Sequence, residues 1–511
     1  MRGLLLTLSL CGALIAAGCG GSSGGDPDTD PASLAPARAP VYAEVSLESD
    51  EDFDAVAEKL SGKADASAEI TRLLEKSINE EGSNVDFKKD IEPWIGDRLG
   101  IFFLDLSDDA QGAFVAPAED ADKAETSLAK LLKETDEDDK KPQISGKKYK
   151  DVEYQVDSAN DSAYAVLDGT AVFGTEQGVK GAIDAQDGES LSETDSLKTA
   201  RDQVEDDGLI FAFVALRQLI ETAGGNDPDI AQLQTLLGSA GDRLAISGDV
   251  DDGSIELEFV TLGVKDPVNA EPGALLAQMP ADAWLAGGLA SFGKTIETSL
   301  KQLEATPDGR ELSTALAQIE RSTGIDVRAD VLSWIGDIGF FVRGSSINDL
   351  GGALVVAASD PAKPKKLLAD LQSLAKAAGD ASLRELKRDG YEGVTIRTDE
   401  VPMPIHVAVG DKNLIVAVGD DALGEAISPS SKLTDSEPFK KAADALGGDV
   451  KPAFFANLDP VKSLIEASGA LSQAGADAAE VKRVLDNLTT VAAGASTEGD
   501  VQKTKIAVQV K

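Results

Sequence analysis

The sequence repeats itself at a nearly constant distance of about 240 residues, and this recurrence constrains the fold more than any short motif does. Asp90-Ile91-Glu92-Pro93-Trp94-Ile95-Gly96-Asp97 is answered by Asp330-Val331-Leu332-Ser333-Trp334-Ile335-Gly336-Asp337, 240 positions on. Tyr149-Lys150-Asp151-Val152 answers to Tyr391-Glu392-Gly393-Val394, Thr194-Asp195-Ser196 to Thr434-Asp435-Ser436, and Phe213-Val214-Ala215-Leu216 to Phe455-Ala456-Asn457-Leu458. Four matches in one order imply two tandem homologous units, at 34–265 and 274–511, joined by a Pro- and Gly-containing linker at 266–273. A chain of 511 residues is also too long for one ordinary core.

Within a unit the hydrophobic period alternates between two and 3.6. Strands are expected at 41–47, 99–104, 112–116, 152–156, 163–174, 210–215, 243–247 and 255–260. Helical spacing is read in Phe53, Val56 and Leu60, in Ile70, Leu73, Leu74 and Ile78 after a Ser67 cap, and over 121–133. Asp168-Gly169 and Asp251-Asp252-Gly253 are tight turns, and strands joined so closely must pair antiparallel. The expected class is α+β, each unit a curved, mainly antiparallel sheet with helices packed on one face.

The N-terminus has a different character. Arg2 precedes a short apolar run, and Leu14-Ile15-Ala16-Ala17-Gly18-Cys19 places small residues before a cysteine. Residues 1–18 read as a secretory signal, too short for a stable membrane span. The likeness to a lipobox implies cleavage before Cys19 and acylation of its sulfur, usually with a further acyl chain on its amine. That anchor would hold the protein to a membrane without crossing it. Residues 19–33, rich in Gly, Ser, Asp and Pro, read as a flexible tether. Asp26, Asp28 and Asp30 alternate like a calcium loop but lack its Gly and distal Glu. Gly20 in place of Asp carries no inner-membrane retention signal.

Composition removes several functions. With 48 Lys plus Arg against 90 Asp plus Glu, the formal net charge is −42, which opposes nucleic-acid binding and adsorption to anionic headgroups. Of the 2 cysteines, Cys11 lies in the signal, so the mature chain has no disulfide to form. The single histidine, His406, excludes a His-rich zinc site and leaves any Ser-His-Asp triad one candidate, which reads as a half-exposed strand residue. Gly351-Gly352-Ala353 enters a strand, so it cannot cradle phosphate as a loop before a helix does. Asp136-Glu137-Asp138-Asp139 reads as a loop, and no carboxylate pair for glycoside hydrolysis can be located. No cofactor and no metal are expected.

The best candidate site is the repeated motif, Trp94, Gly96 and Asp97 with Trp334, Gly336 and Asp337. An aromatic beside a carboxylate could be a ligand platform. The architectural reading is stronger: Trp anchors a helix end on the sheet, Gly takes a left-handed turn and Asp bonds turn amides. Gly241-Asp242-Arg243-Leu244 repeats residues 96–99 in the same setting. The repeat sets His406 opposite Tyr164, so chemistry that depends on His406 would belong to one unit.

These features resemble a family. The lipoprotein signal, the opening Leu34-Ala35-Pro36-Ala37 and Pro93-Trp94-Ile95-Gly96-Asp97-Arg98 feeding a strand are similar to the bacterial domain-of-unknown-function family 3352. The second unit departs from that pattern, with Ser333 for the Pro and Ile338 for the Arg. The resemblance implies an envelope location, on the extracytoplasmic face, and a two-part α+β body, and brings no activity or catalytic residues. The expected function is a non-enzymatic lipid-anchored envelope protein that binds or scaffolds another extracytoplasmic component, an envelope protein being one candidate partner. A carrier of an apolar or lipid ligand is the alternative, and an envelope hydrolase comes third.

Overall fold

The computed structural model describes residues 30–47, 51–61, 86–106, 110–134, 142–204, 208–222, 241–265, 274–304, 309–346, 349–378, 382–397, 403–469 and 478–511. Cys19, the signal, the tether up to residue 29, the helix expected after Ser67, the acidic stretch 136–139 and the linker 266–273 lie outside them. Two compact units are present. The first is Met1–Pro267 with Glu498–Lys503, the second Val268–Thr497 with Thr504–Lys511.

Unit 1 contains β1 (Val41–Ser46), β2 (Arg98–Phe103), β3 (Gly112–Pro117), β4 (Ile144–Tyr149), β5 (Val152–Asp157), β6 (Ser162–Leu167), β7 (Thr170–Thr175), β8 (Ile210–Ala215), β9 (Arg243–Asp251) and β10 (Ser254–Leu262). They pair antiparallel in the order β10-β9-β8-β1-β2-β3-β7-β6-β5-β4. Register puts Tyr42 opposite Phe102 on one side and Phe213 on the other. All three rings are buried, which centres the core on β1. Three hairpins turn on two residues of positive φ, Lys150-Asp151, Asp168-Gly169 and Asp252-Gly253. That backbone matches the twist of the strands it joins.

Helices cover this sheet on both faces, not on one as the sequence suggested. Val179, Ala182 and Ile183 of the helix Glu176–Asp187 join Ala163, Ala165 and Val172 in one core. Ala124, Leu128 and Leu132 of the helix Ala121–Glu134 join Tyr164 and Ala171 in another. Adjacent residues of β6 and β7 thus point to opposite, equally dry sides, which is why 163–173 reads as an unbroken apolar run. The helix Glu176–Asp187 was not legible beforehand because Gly178 and Gly181 interrupt its apolar face. Both glycines are packing requirements: a Cβ on Gly178 would sit 2.0 Å from the Gly112 carbonyl oxygen.

Residues 30–33, read above as the end of the tether, belong to the fold. Asp30 caps a 3₁₀ turn over Pro31–Ser33, and Ala32, Leu34 and Ala35 enter the core.

Unit 2 contains β11 (Ala283–Leu289), β12 (Ile335–Arg343), β13 (Gly351–Ala358), β14 (Ser382–Arg388), β15 (Tyr391–Arg397), β16 (Ile405–Val409), β17 (Asn413–Val418), β18 (Lys451–Asn457) and most of β19 (Leu488–Glu498) and β20 (Val501–Val510), whose connecting end Glu498–Lys503 falls in unit 1. The order is β20-β19-β18-β11-β12-β13-β17-β16-β15-β14, the same sequence of neighbours as in unit 1. One core lies under the helices Asp420–Ile427 and Glu437–Asp444. The other face carries a smaller cluster, Leu368, Val394 and Val409, beside the helix Ala362–Ala378.

Two of the four sequence matches shift once strands are paired. The unit 2 hairpin turns at Asp389-Gly390, so Tyr149 precedes its turn whereas Tyr391 follows one. Thr194 caps the helix Asp195–Arg201, and the cap of Glu437–Asp444 is Ser436, not Thr434. Residue identity alone cannot see a turn, so small length differences between units misplace such matches. The Trp94/Trp334 and Phe213/Phe455 matches occupy the same places in the strand order.

Candidate functional site

The repeated tryptophans close a short π-helical turn that leads into a central strand. In unit 1 the turn spans Phe87–Ile91, where the Glu92 amide donates to the Phe87 carbonyl. Asp86 and Asp90 lock it: the Asp90 carboxylate accepts from the Asp86 amide at 2.9 Å, and Asp86 accepts from the Lys89 amide at 3.2 Å. Trp94, buried, donates its indole N–H to the Asp90 carbonyl at 2.7 Å. Unit 2 repeats each part over Val327–Val331. The Asp326 amide donates to Asp330 at 3.0 Å, Asp326 accepts from the Arg328 and Ala329 amides, and the Trp334 indole donates to the Asp330 carbonyl at 2.7 Å. A lysine from the following helix reaches the second aspartate in both, Lys130 at 2.5 Å and Lys366 at 3.3 Å. In Asp90 the Lys130 hydrogen bond, and in Asp330 the Asp326 amide, hold the carboxyl below its usual range.

In both units the polar groups of the turn are thus paired with backbone and lysine partners. Gly96 and Gly336 are not left-handed, contrary to expectation; each lies close to a neighbouring strand. A Cβ on Gly96 would meet Pro117 at 3.1 Å, and one on Gly336 the Ala357 oxygen at 3.2 Å. Gly241 does adopt φ 111°. The Asp337 carboxylate accepts from the Ser291 amide at 2.9 Å, outside its own turn, while the Asp97 carbonyl accepts from Leu47. Asp86 and Asp326 were missed, although Asp-x₃-Asp-x₃-Trp recurs in the sequence at the same spacing.

Unit 1 also holds a charged cluster around the buried Glu44 that the sequence did not reveal. Tyr42 and Glu44 alternate onto the core face of β1, and the phenol donates to Glu44 Oε2 at 2.5 Å. Arg98 of β2 donates to Glu44 Oε1 at 3.0 Å. Arg201, at the end of its helix, donates to Glu44 Oε2 at 2.9 Å and grips Asp30 with two nitrogens, at 2.8 and 3.1 Å. Burial opposes the Arg201 charge, but the Asp30 hydrogen bond and the Glu44 and Asp30 charges outweigh it and hold its pKa above the ordinary value. Burial, then Glu44, pushes the Tyr42 phenol well up. With two guanidiniums on one carboxylate, the interior charge is compensated.

The sequence matches the family described as a protein of unknown function, DUF3352, over residues 2–510. The chain belongs to the DUF3352 family. No curated protein matches it. Among solved structures, TP0453 in crystal form III is 8% identical and covers 47% of this chain and 83% of its own, with a TM-score of 0.26. TP0453 in crystal form I is 7% identical over 47% and 82%, at the same TM-score of 0.26. Overlap that weak carries no argument about this DUF3352 chain.

His406 is buried, not half-exposed. Its Nδ1 lies 3.0 Å from the Thr395 hydroxyl across the β15–β16 pair. Its Nε2 lies 3.2 Å from Asp420 Oδ1 but out of line for a good hydrogen bond. Burial pushes its pKa below 6.5, with Arg397 and Arg388 adding to the effect and Asp420 opposing it. A cleft of about 310 Å³ in unit 1 is polar, with Ser33, Asp168, Thr170, Gln186, Ser190 and Glu193 on its walls. No group of three or more metal-ligating side chains occurs among the described residues, and none of their helices is long and apolar enough to cross a membrane.

Proposed function

We propose that the chain is a non-enzymatic, lipid-anchored cell-envelope protein, held on the extracytoplasmic face by acylated Cys19, whose two α+β units arose by duplication and bind or scaffold another envelope protein. One observation carries this reading: the Asp-Asp-Trp turn, the most chemistry-like motif in the chain, has its polar groups committed to backbone and lysine partners in both units. Glu44, His406 and Asp337 are likewise engaged inside the fold. A body whose reactive side chains do structural work acts through its surface. The shared strand order and the twin turns support duplication.

The test is chemical cross-linking on intact cells, followed by native mass spectrometry of gently extracted protein and a denatured spectrum for the acyl mass. The expected result is diacylglycerol-sized mass on Cys19, membrane release of Cys19→Ser, and one polypeptide cross-linked in stoichiometric amount. A noncovalent lipid lost on unfolding, with no polypeptide, would replace this reading with the carrier.

A further inference from the structure

We propose that the polar cleft of unit 1 binds a saccharide of one ring that carries an ammonium group. Its volume, about 310 Å³, lies at the small end of the roughly 300–1,000 Å³ of small-molecule sites, which admits one sugar ring and no long chain. The Asp168-Gly169 turn between β6 and β7, the end of the helix Glu176–Asp187 and residues 190–193 build it. Ser33 and Leu34 add a further wall, fixed by the burial of Ala32, Leu34 and Ala35 in the core. Thr170 on that wall is only 1% exposed, and its hydroxyl has no hydrogen-bond partner among the described residues; the Ser33 hydroxyl and the Glu193 carboxylate have none either. A hydroxyl buried without a partner is costly, so Thr170 marks a place where a ligand group completes the site. The Ser190 and Ser192 hydroxyls meet at 2.8 Å and the Gln186 amide donates to Asp168 at 2.6 Å, so the walls offer both donors and acceptors, the combination that neighbouring sugar hydroxyls need.

Charge selects the ammonium group. The walls carry Asp168 and Glu193 and no Lys or Arg. Ala185, Gln186 and Gly188 bring the C-terminal end of the helix to the cleft, and no basic side chain in its last turn answers the negative end of the dipole. An anion would be repelled, and an apolar guest would strip water from the carboxylates without replacing it. Leu34, Leu167 and Ala185, all buried, give the C–H face of a ring an apolar surface. Unit 2 does not reproduce this charge pattern: its Pro280–Lys432 bridge answers the Pro36–Ser190 bridge of unit 1 and sets a lysine where unit 1 has Ser190. The site is independent of the protein partner and of the anchor proposed above.

Ligand-detected NMR titration of glucosamine into full-length Cys19→Ser protein at neutral pH and physiological salt tests the site, with glucose and methylammonium as comparison probes. Glucosamine should saturate one site and bind about tenfold or more tightly than either probe, since glucose lacks the charge and methylammonium the hydroxyls. Thr170→Val removes a hydroxyl at nearly constant shape and Glu193→Gln a charge, and each should weaken glucosamine by about tenfold. Ser190→Lys imports the unit 2 residue and should abolish binding, with unchanged hydrogen exchange in β6 and β7 showing that the fold is kept. No saturation, equal affinity for glucose or methylammonium, or binding that all three variants leave intact would overturn the proposal.

Discussion

The two units share strand order and turn but fill their interiors differently, and the difference shows what a sheet of this kind leaves free. Unit 1 buries Glu44 between two arginines beside Tyr42, and packs a second core around Trp94, Leu128 and Tyr164. In unit 2, β11 runs Ala283-Trp284-Leu285-Ala286-Gly287-Gly288-Leu289, with no charge. On its second face Leu354 of a central strand stays 38% exposed and Leu289 48%. Pairing fixes which residues are neighbours, not whether the layer above is charged, dry or thin.

The largest expected effect tests what the units share. Trp94→Ala and Trp334→Ala should each destabilise their own unit by about 3–5 kcal/mol, since both remove a buried indole and its hydrogen bond to an aspartate carbonyl, although the Asp90 carbonyl keeps the Ser127 hydroxyl. Urea titration followed by exchange in each unit measures this. A loss in one unit only would break the equivalence of the turns.

Next comes what only unit 1 has. Glu44→Ala leaves Arg98, Arg201 and the Tyr42 phenol without their shared acceptor, and should weaken unit 1 by about 3 kcal/mol while leaving unit 2 unchanged. An unchanged unit 1 midpoint would mean the cluster is ornamental.

Acid should separate the units by pH window. Burial holds His406 below 6.5 in the fold, so the unfolded chain binds the extra proton, and unit 2 stability, full above pH 6.5, falls as pH drops toward the folded value. Unit 1 has Ala163 at that place by strand register, not Tyr164 as the repeat suggested, because the units stand one residue further apart in sequence there, so no group there titrates. Its Glu176 is lowered to about 2, chiefly by Lys180, with Tyr154 and Lys147 adding, so its contribution is lost only between about 4.5 and 2. Unit 2 should therefore loosen first, by less than about 1.4 kcal/mol per pH unit, and His406→Gln should abolish the early phase. An early phase that survives the substitution would assign it elsewhere.

The smallest effect concerns the lysines on the turns. Lys130→Ala should lower unit 1 stability by less than about 1 kcal/mol, and Lys366→Ala, on a more exposed and longer pair, should leave its unit unresolved from wild type in the same titration.

Much of the sheet was legible because strand periodicity and Asp-Gly turns are local signals. The ranges around β1, β2, β3 and β8, and the helix Ala121–Glu134, agree with expectation to within a residue or two. The helix Glu176–Asp187 was not, because its glycines are there for Gly112 and Pro36, partners far away in sequence. Of the candidate site, the tryptophans were found, but Gly96 and Gly336 were given the wrong cause and Asp86 and Asp326 were passed over. Their roles depend on a π turn that no apolar period announces.

By itself the sequence determined the α+β class, the antiparallel hairpins, the Trp turn in two places and DUF3352 membership, because each is written in residues close together or in ordered matches. Tertiary structure alone decided that the sheet of unit 1 is covered on both faces, that His406 is buried, and that Asp30 belongs to the body. Those outcomes depend on which side of a strand meets which helix, and on Asp30 meeting Arg201 171 residues away. Burial and charge compensation are properties of such meetings, and no local pattern encodes them.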